Sequence, residues 1–375
     1  LIKASRDSRE ALTALHQQFE LSDAQATAIL DMKLQRLTGL EQQKIFDEWE
    51  LIHENVGEPE AFLRHYLVAS GSEKVQKKKV VGAVEKLIDK GSHETRAALT
   101  QEFWTDLLQS SDLYRQIVEP QMGGDCQYHL ELLNGLAKSH RIFLMEAFRK
   151  GFPEKTRDEI VRLVFVFSYR WILNGRNAQK MEDFFQSLSG DLRSGQATES
   201  VIEKLKTQIQ QVDLDSKVRF SYDMDSTFAS RAILHYINKK TAVNSTPIPL
   251  VGKNFHLEHI APQSGQNNWV TALFNGEEDR FKYYESAIGG LGNLTLLDPS
   301  KNNGIKDAPF EIKSPEYEKS VAQITRDLSK FKNWTEEMVN LRTAWAAECF
   351  DQLVGIEPAP KHLDDFSVWY SKHTS

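Results

Sequence analysis

Apolar residues recur at spacings of three and four over most of this chain, the period of a helix with one face turned inward. Phe62, Tyr66 and Ala69 show it, as do Ile160, Leu163, Val164 and Phe167. The pattern predicts helix after helix from about Phe46 to Lys240. Asn134-Gly135 and Asn174-Gly175 interrupt it without flanking strand-like runs, so both read as helix ends. Leu188 to Ser200, with Gly190 and Gly195 among small polar residues, reads as a surface loop. Ahead of this region, Ser22-Asp23-Ala24-Gln25 is a capping-box pattern before Ile29, Leu30, Leu34 and Leu37, with Gly39 as a stop. Residues 1–47 therefore read as a separate helical piece.

The pattern changes after Thr241 to Leu250, where Asn244-Ser245-Thr246-Pro247-Ile248-Pro249 ends the helical region. Two short apolar runs follow, Phe255 to Ile260 and Leu291 to Leu297. The first ends with Glu258 and His259 side by side. Neighbours on a strand face opposite ways unless the strand is ending, and Ala261-Pro262 supplies that end. The second run leads through an Asp298-Pro299 turn to a short helix carrying Asn302 in Ser300-Lys301-Asn302-Asn303-Gly304. Strand, loop, strand, helix makes a ββα unit. Between the strands, Glu277-Glu278-Asp279 reads as a solvated face. Ser329 to Leu353 reads mostly as helix with Thr335 as a cap. The residues after Gly355, with two prolines, read as a loose tail, in which Phe366, Trp369 and Tyr370 are side chains able to dock. The expected fold class is mainly α: helical domains with a small α+β ββα unit near the C-terminus. Domains are expected at 1–47, 48–240, 241–313 and 314–375.

Each of these signals alone has a plain structural explanation. Glu-His before Pro is a capped strand end, Asn302-Asn303-Gly304 a turn, and Asn293 a strand-end hydrogen bonder. Their order and spacing around two apolar strands carry more weight than any one of them. Glu-His-Ile-x-Pro-Gln-Ser, Gly-Asn-Leu-Thr-Leu-Leu and Lys-Asn-Asn-Gly resemble the HNH, or His-Me finger, nuclease motif. The order is similar to the C-terminal nuclease domain of GmrSD-type restriction endonucleases and to the HNH domain of the RNA-guided CRISPR nuclease. The resemblance extends through Ala308-Pro309-Phe310 to Lys313 and Tyr317 and, more weakly, over residues 47–353. It implies His259 as general base, Glu258 and Asn302 as ligands of Mg²⁺ or Mn²⁺, and Asn293 as the residue that holds the histidine loop. Relatives often have Asp where this chain has Glu258. His256, in register with Glu258, is read as structural.

The residue types suit phosphodiester hydrolysis. Imidazole is the side chain whose ordinary pKa makes it a workable base near neutrality. One carboxylate and one amide form a sparse oxygen set, which suits a hard ion that keeps several waters and binds substrate phosphate. Composition adds limits. The 375 residues carry a net charge of −7 and a pI near 5.9, so DNA contact needs a local basic face rather than a basic chain. Lys74, Lys77, Lys78, Lys79, Lys86 and Lys90 form the densest basic stretch, read as a solvated helix face. Cys126 and Cys349 lack the spacing of a disulfide framework or a zinc site. No run reaches the length of a membrane span, so no membrane partner and a cytoplasmic location are expected.

Phe19-Glu20-Leu21-Ser22 through Leu40-Glu41 is similar to a helical segment of gyrase A and its topoisomerase IV counterpart. In that family the segment belongs to a dimer-forming arm without the catalytic tyrosine, which implies a helical arm and a homodimer surface rather than strand passage. The Asp-Gly-Gln-Gln-Arg-type string of the GmrSD nucleotide-dependent half is absent, and the chain starts at Leu1. A fragment, partnered by a missing N-terminal domain or a separate nucleotide-binding subunit, is the expectation. The sequence reads as an HNH-type, metal-dependent DNA endonuclease of restriction or anti-phage defence. The alternative is a non-catalytic helical DNA- or protein-binding module with a decayed nuclease fold.

Overall fold

The computed structural model describes residues 8–19, 39–71, 75, 79–88, 93–212, 228–242, 248, 256–265, 268–297 and 305–374. The Ser22 cap, the Ile29 to Leu37 run, Lys74, Lys77, Lys78 and Lys90, the Asp298-Pro299 turn and Asn302 lie outside these residues; Lys79 and Lys86 are exposed. The chain is mainly α, and among the described residues its one sheet has two strands. Two compact units divide it, residues 1–118 and 119–375. That division falls inside the stretch 48–240.

In the first unit the principal helices are α1 (Ser8–Phe19), α2 (Gly39–Val56), α3 (Pro59–Ala69), α4 (Val80–Ile88) and α5 (His93–Val118). Phe62, Tyr66 and Tyr114 are buried, with the Phe62 and Tyr114 rings edge to face at 5.1 Å. The buried Asn55 is paired: its Nδ2 donates to Ser111 Oγ at 3.1 Å and to Asp112 Oδ1 at 2.9 Å.

The second unit begins with α6 (Gly124–Leu136), α7 (His140–Arg149), α8 (Glu154–Leu173), α9 (Ala178–Arg193) and α10 (Thr198–Gln210). From Ile160 to Tyr169 only Arg162 escapes burial in α8. A helix apolar nearly all round belongs in the centre of a bundle. Asn174 follows α8 and Gly175 takes φ 61°, so that pair is a helix end. The expected loop from Leu188 to Ser200 is corrected: α9 runs to Arg193, and only residues 194–197 connect it to α10. Leu188, Ser189 and Leu192 are buried and Ser189 Oγ donates to Ile142 O at 3.0 Å, so the helix's inner face outweighs Gly190.

Helix α11 (Phe228–Thr241) joins this bundle to the strand pair. Gly135 on α6 gives room for the Phe228 ring, and Asn238 Oδ1 accepts from Ile324 N at 3.1 Å. The strands are β1 (His256–His259) and β2 (Leu294–Leu297), antiparallel, with His256 opposite Leu297 and His259 opposite Leu294. Between them lie α12 (Trp269–Leu273), a 3₁₀ turn at Glu278–Tyr283 and α13 (Tyr284–Ile288); Glu277, Glu278 and Asp279 are exposed. After β2 come α14 (Phe310–Glu318), α15 (Gln323–Arg326), α16 (Glu336–Leu353) and α17 (Phe366–His373).

Thr335 caps α16, accepting from Met338 N. From that helix the buried Arg342 donates to the carbonyls of Gly292 and Leu294, both at 2.6 Å. The residues after Gly355 are not a loose tail. Phe366 is fully buried against Phe331 and Trp345, at ring distances of 5.0 and 5.5 Å, and Asp365 caps α17 through Val368 N. No helix among the described residues is long and apolar enough to cross a membrane.

Candidate active site

The site is built on the end of β1. Along it only Glu258, 5% exposed, is buried; His256 is exposed and Leu257 and His259 are intermediate. The strand stops at His259, and the chain that follows is tied to the start of β2. Ile260 N donates to Asn293 O at 2.9 Å. The Asn293 side chain is fully buried and uses both ends. Its Oδ1 accepts from Ala261 N at 2.9 Å and Trp334 Nε1 at 3.2 Å, while Nδ2 donates to Ala261 O at 2.9 Å and Ile288 O at 3.1 Å. A primary amide carries a donor and an acceptor side by side, so it can both give to and take from a single residue's backbone. Tyr284 adds a second tie, its hydroxyl donating to Pro262 O at 2.7 Å.

Helix α14 supplies what the sequence reading left without a role. Lys313 Nζ is 2.6 Å from Glu258 Oε1 and 3.0 Å from the His259 carbonyl oxygen. Its side chain is 0% exposed and that of Glu258 6%. Tyr317 donates to the same Oε1 at 3.4 Å. Burial pushes the Glu258 carboxyl above its ordinary value against the pull of Lys313, and pushes the Lys313 ammonium down against the pull of Glu258. Asp307, half-buried, acts on both charges, favouring the ammonium and opposing the carboxylate. Trp269 donates to the carbonyls of Asp307 and Ala308, at 3.2 and 3.1 Å, fixing the entry to α14.

Glu258, His259 and Asn293 are thus brought together at one end of the strand pair; the position of Asn302 lies outside the described residues. Lys313 and Tyr317 enter the sequence reading only as parts of a family pattern. Asp307, Tyr284, Trp269 and Trp334 carry no site signal in sequence at all. Among the described residues no three or more His, Cys, Asp or Glu side chains form a group able to hold a metal. Glu258 Oε2, however, has no hydrogen-bond partner among them. One unspent carboxylate oxygen fits an ion that keeps most of its waters.

Comparison with known proteins adds two findings. The DNA gyrase A protein of Leptospira biflexa is 58% identical over 52 residues, 14% of this chain and 6% of that protein. The gyrase A proteins of Clostridium acetobutylicum and Staphylococcus aureus strain MRSA252 are 48% identical over 63 residues and 47% over 62, covering 17% and 16% of this chain and 8% and 7% of those proteins. The chain spans less than a tenth of the length of these relatives. Residues 206–348 match the family described as GmrSD restriction endonucleases, C-terminal domain. Both strands, Glu258, His259, Asn293 and Lys313 lie inside that span, so the candidate site sits in the part of the chain that resembles a restriction endonuclease domain.

Proposed function

We propose that this chain is a metal-dependent DNA endonuclease of HNH type, acting in restriction or anti-phage defence. The observation that carries the reading is the strand end itself, with His259 partly open to solvent as the last residue of β1 and the chain after it clamped by Asn293, within the restriction-endonuclease-like span. In this reading the His259 imidazole takes a proton from water as the water oxygen forms its bond to phosphorus. The scissile P–O bond breaks and the leaving oxygen is protonated from solvent. A clamped loop matters because a base misplaced by about 1 Å can cost on the order of 10²-fold in rate. Glu258, through Oε2, and Asn302 would hold the ion, which when bound would neutralise charge on the phosphate.

Thermal melting with and without Mg²⁺ tests the ligand assignment apart from any DNA. Mg²⁺ at ten times its dissociation constant should stabilise the chain by about 1.4 kcal/mol, and Glu258→Gln should lose that gain. Equal stabilisation of the variant would remove Glu258 from the metal site. No stabilisation of the unaltered chain would favour the binding-module alternative.

A further inference from the structure

An ion held by Glu258 would meet a carboxylate that already carries a fixed cation. The Lys313 ammonium is immobilised, wholly buried, between Glu258 Oε1 and the His259 carbonyl, and stands 5.7 Å from the centre of the Trp269 ring. An ion on Glu258 Oε2 would share the carboxylate with that fixed positive charge. Like charges a few ångströms apart repel far more strongly where water is excluded than in bulk solvent. The ammonium also grips two consecutive residues of β1, the carboxylate of one and the backbone of the next.

We propose that Lys313 is a positioning residue that serves as a resident counter-cation, fixing the Glu258–His259 strand end while limiting how tightly a divalent ion is held there. The inference rests on the metal-assisted reading above. Its consequence is an opposition of signs. Removing the ammonium frees the full carboxylate charge for the ion, so metal binding tightens. It also removes the donor to the His259 carbonyl, so the base loses its setting and turnover falls. A purely structural lysine predicts the reverse for the metal, because a loosened carboxylate binds less well.

The test uses the full chain at pH 8, with Mn²⁺ affinity measured by the electron paramagnetic resonance signal of free Mn²⁺ and plasmid cleavage measured in parallel. Lys313→Met should bind Mn²⁺ about tenfold more tightly, while kcat falls about tenfold or more and KM for DNA stays within about twofold. Lys313→Gln keeps a donor to Glu258 without the charge; it should tighten Mn²⁺ binding similarly and lose less turnover. Should Lys313→Met fail to fold by circular dichroism, Lys313→Gln decides alone. Unchanged or weaker Mn²⁺ binding in the folded variants overturns the proposal, as does an absence of Mn²⁺ binding in all forms. Tighter binding in the variants of a chain that cuts no DNA would sink the nuclease reading and leave this inference standing.

Discussion

Asn293 is where a single side chain does most for the site. Replacing it with Ala would leave Ala261 N–H, the carbonyls of Ala261 and Ile288, and Trp334 Nε1 without their partner. Each orphaned buried group costs about 1–3 kcal/mol, so with four of them urea unfolding of Asn293→Ala should show a loss of about 4 kcal/mol or more. A loss below about 1 kcal/mol would mean the loop is held by other contacts. His129 gives a second residue-scale expectation. Burial holds its pKa down at about 3, from an ordinary 6.5, beside Tyr236. Between those values the unfolded chain binds a proton that the folded chain refuses, so stability is present above pH 6.5 and is lost as pH falls toward 3. The slope from this group is at most about 1.4 kcal/mol per pH unit. Unfolding measured between pH 7 and 4 should be less pH-dependent in His129→Gln; an identical slope would mean that His129 is protonated in the fold.

At the scale of elements, α16 packs tightly on the turn before β2. Gly292 has no room for a side chain, since a Cβ there would overlap the Val339 carbonyl and the Thr343 hydroxyl. Gly292 N donates to that hydroxyl at 3.1 Å. Gly292→Ala should therefore cost about 3 kcal/mol or more, because backbone rather than a flexible side chain must move. A melting temperature within about 1 °C of the unaltered chain would contradict so tight a contact.

The two strands and their order were legible in sequence because Ala261-Pro262 and the Leu-Thr-Leu-Leu run mark an end and a beginning. Lys313 was not. A lysine is exposed by default, and nothing local announces that one 55 residues from Glu258 will be sealed beneath it. The C-terminal residues misled for the opposite reason. Pro358 and Pro360 read as loose chain, whereas Trp345 and Phe331 lie far upstream and provide the surface that orders Phe366. Gly190 misled within α9, where burial on the helix's inner face outweighs one glycine's cost of about 1 kcal/mol.

For the whole molecule, the mainly α architecture followed from periodicity alone, while its division after Val118 did not, because helices on either side share one apolar rhythm. Unit 2 contains the strand pair and all of the described candidate site residues. The gyrase-like likeness covers at most 17% of the chain in the comparisons above. The central claim is that His259 is the base of a metal-dependent nuclease. The most direct measurement is cleavage of modified and unmodified plasmid DNA by the purified chain with Mg²⁺, Mn²⁺ or EDTA, beside His259→Ala. The account predicts cutting that needs the ion and falls at least about a hundredfold in the variant. Equal cutting by His259→Ala, or cutting that persists in EDTA, would contradict it.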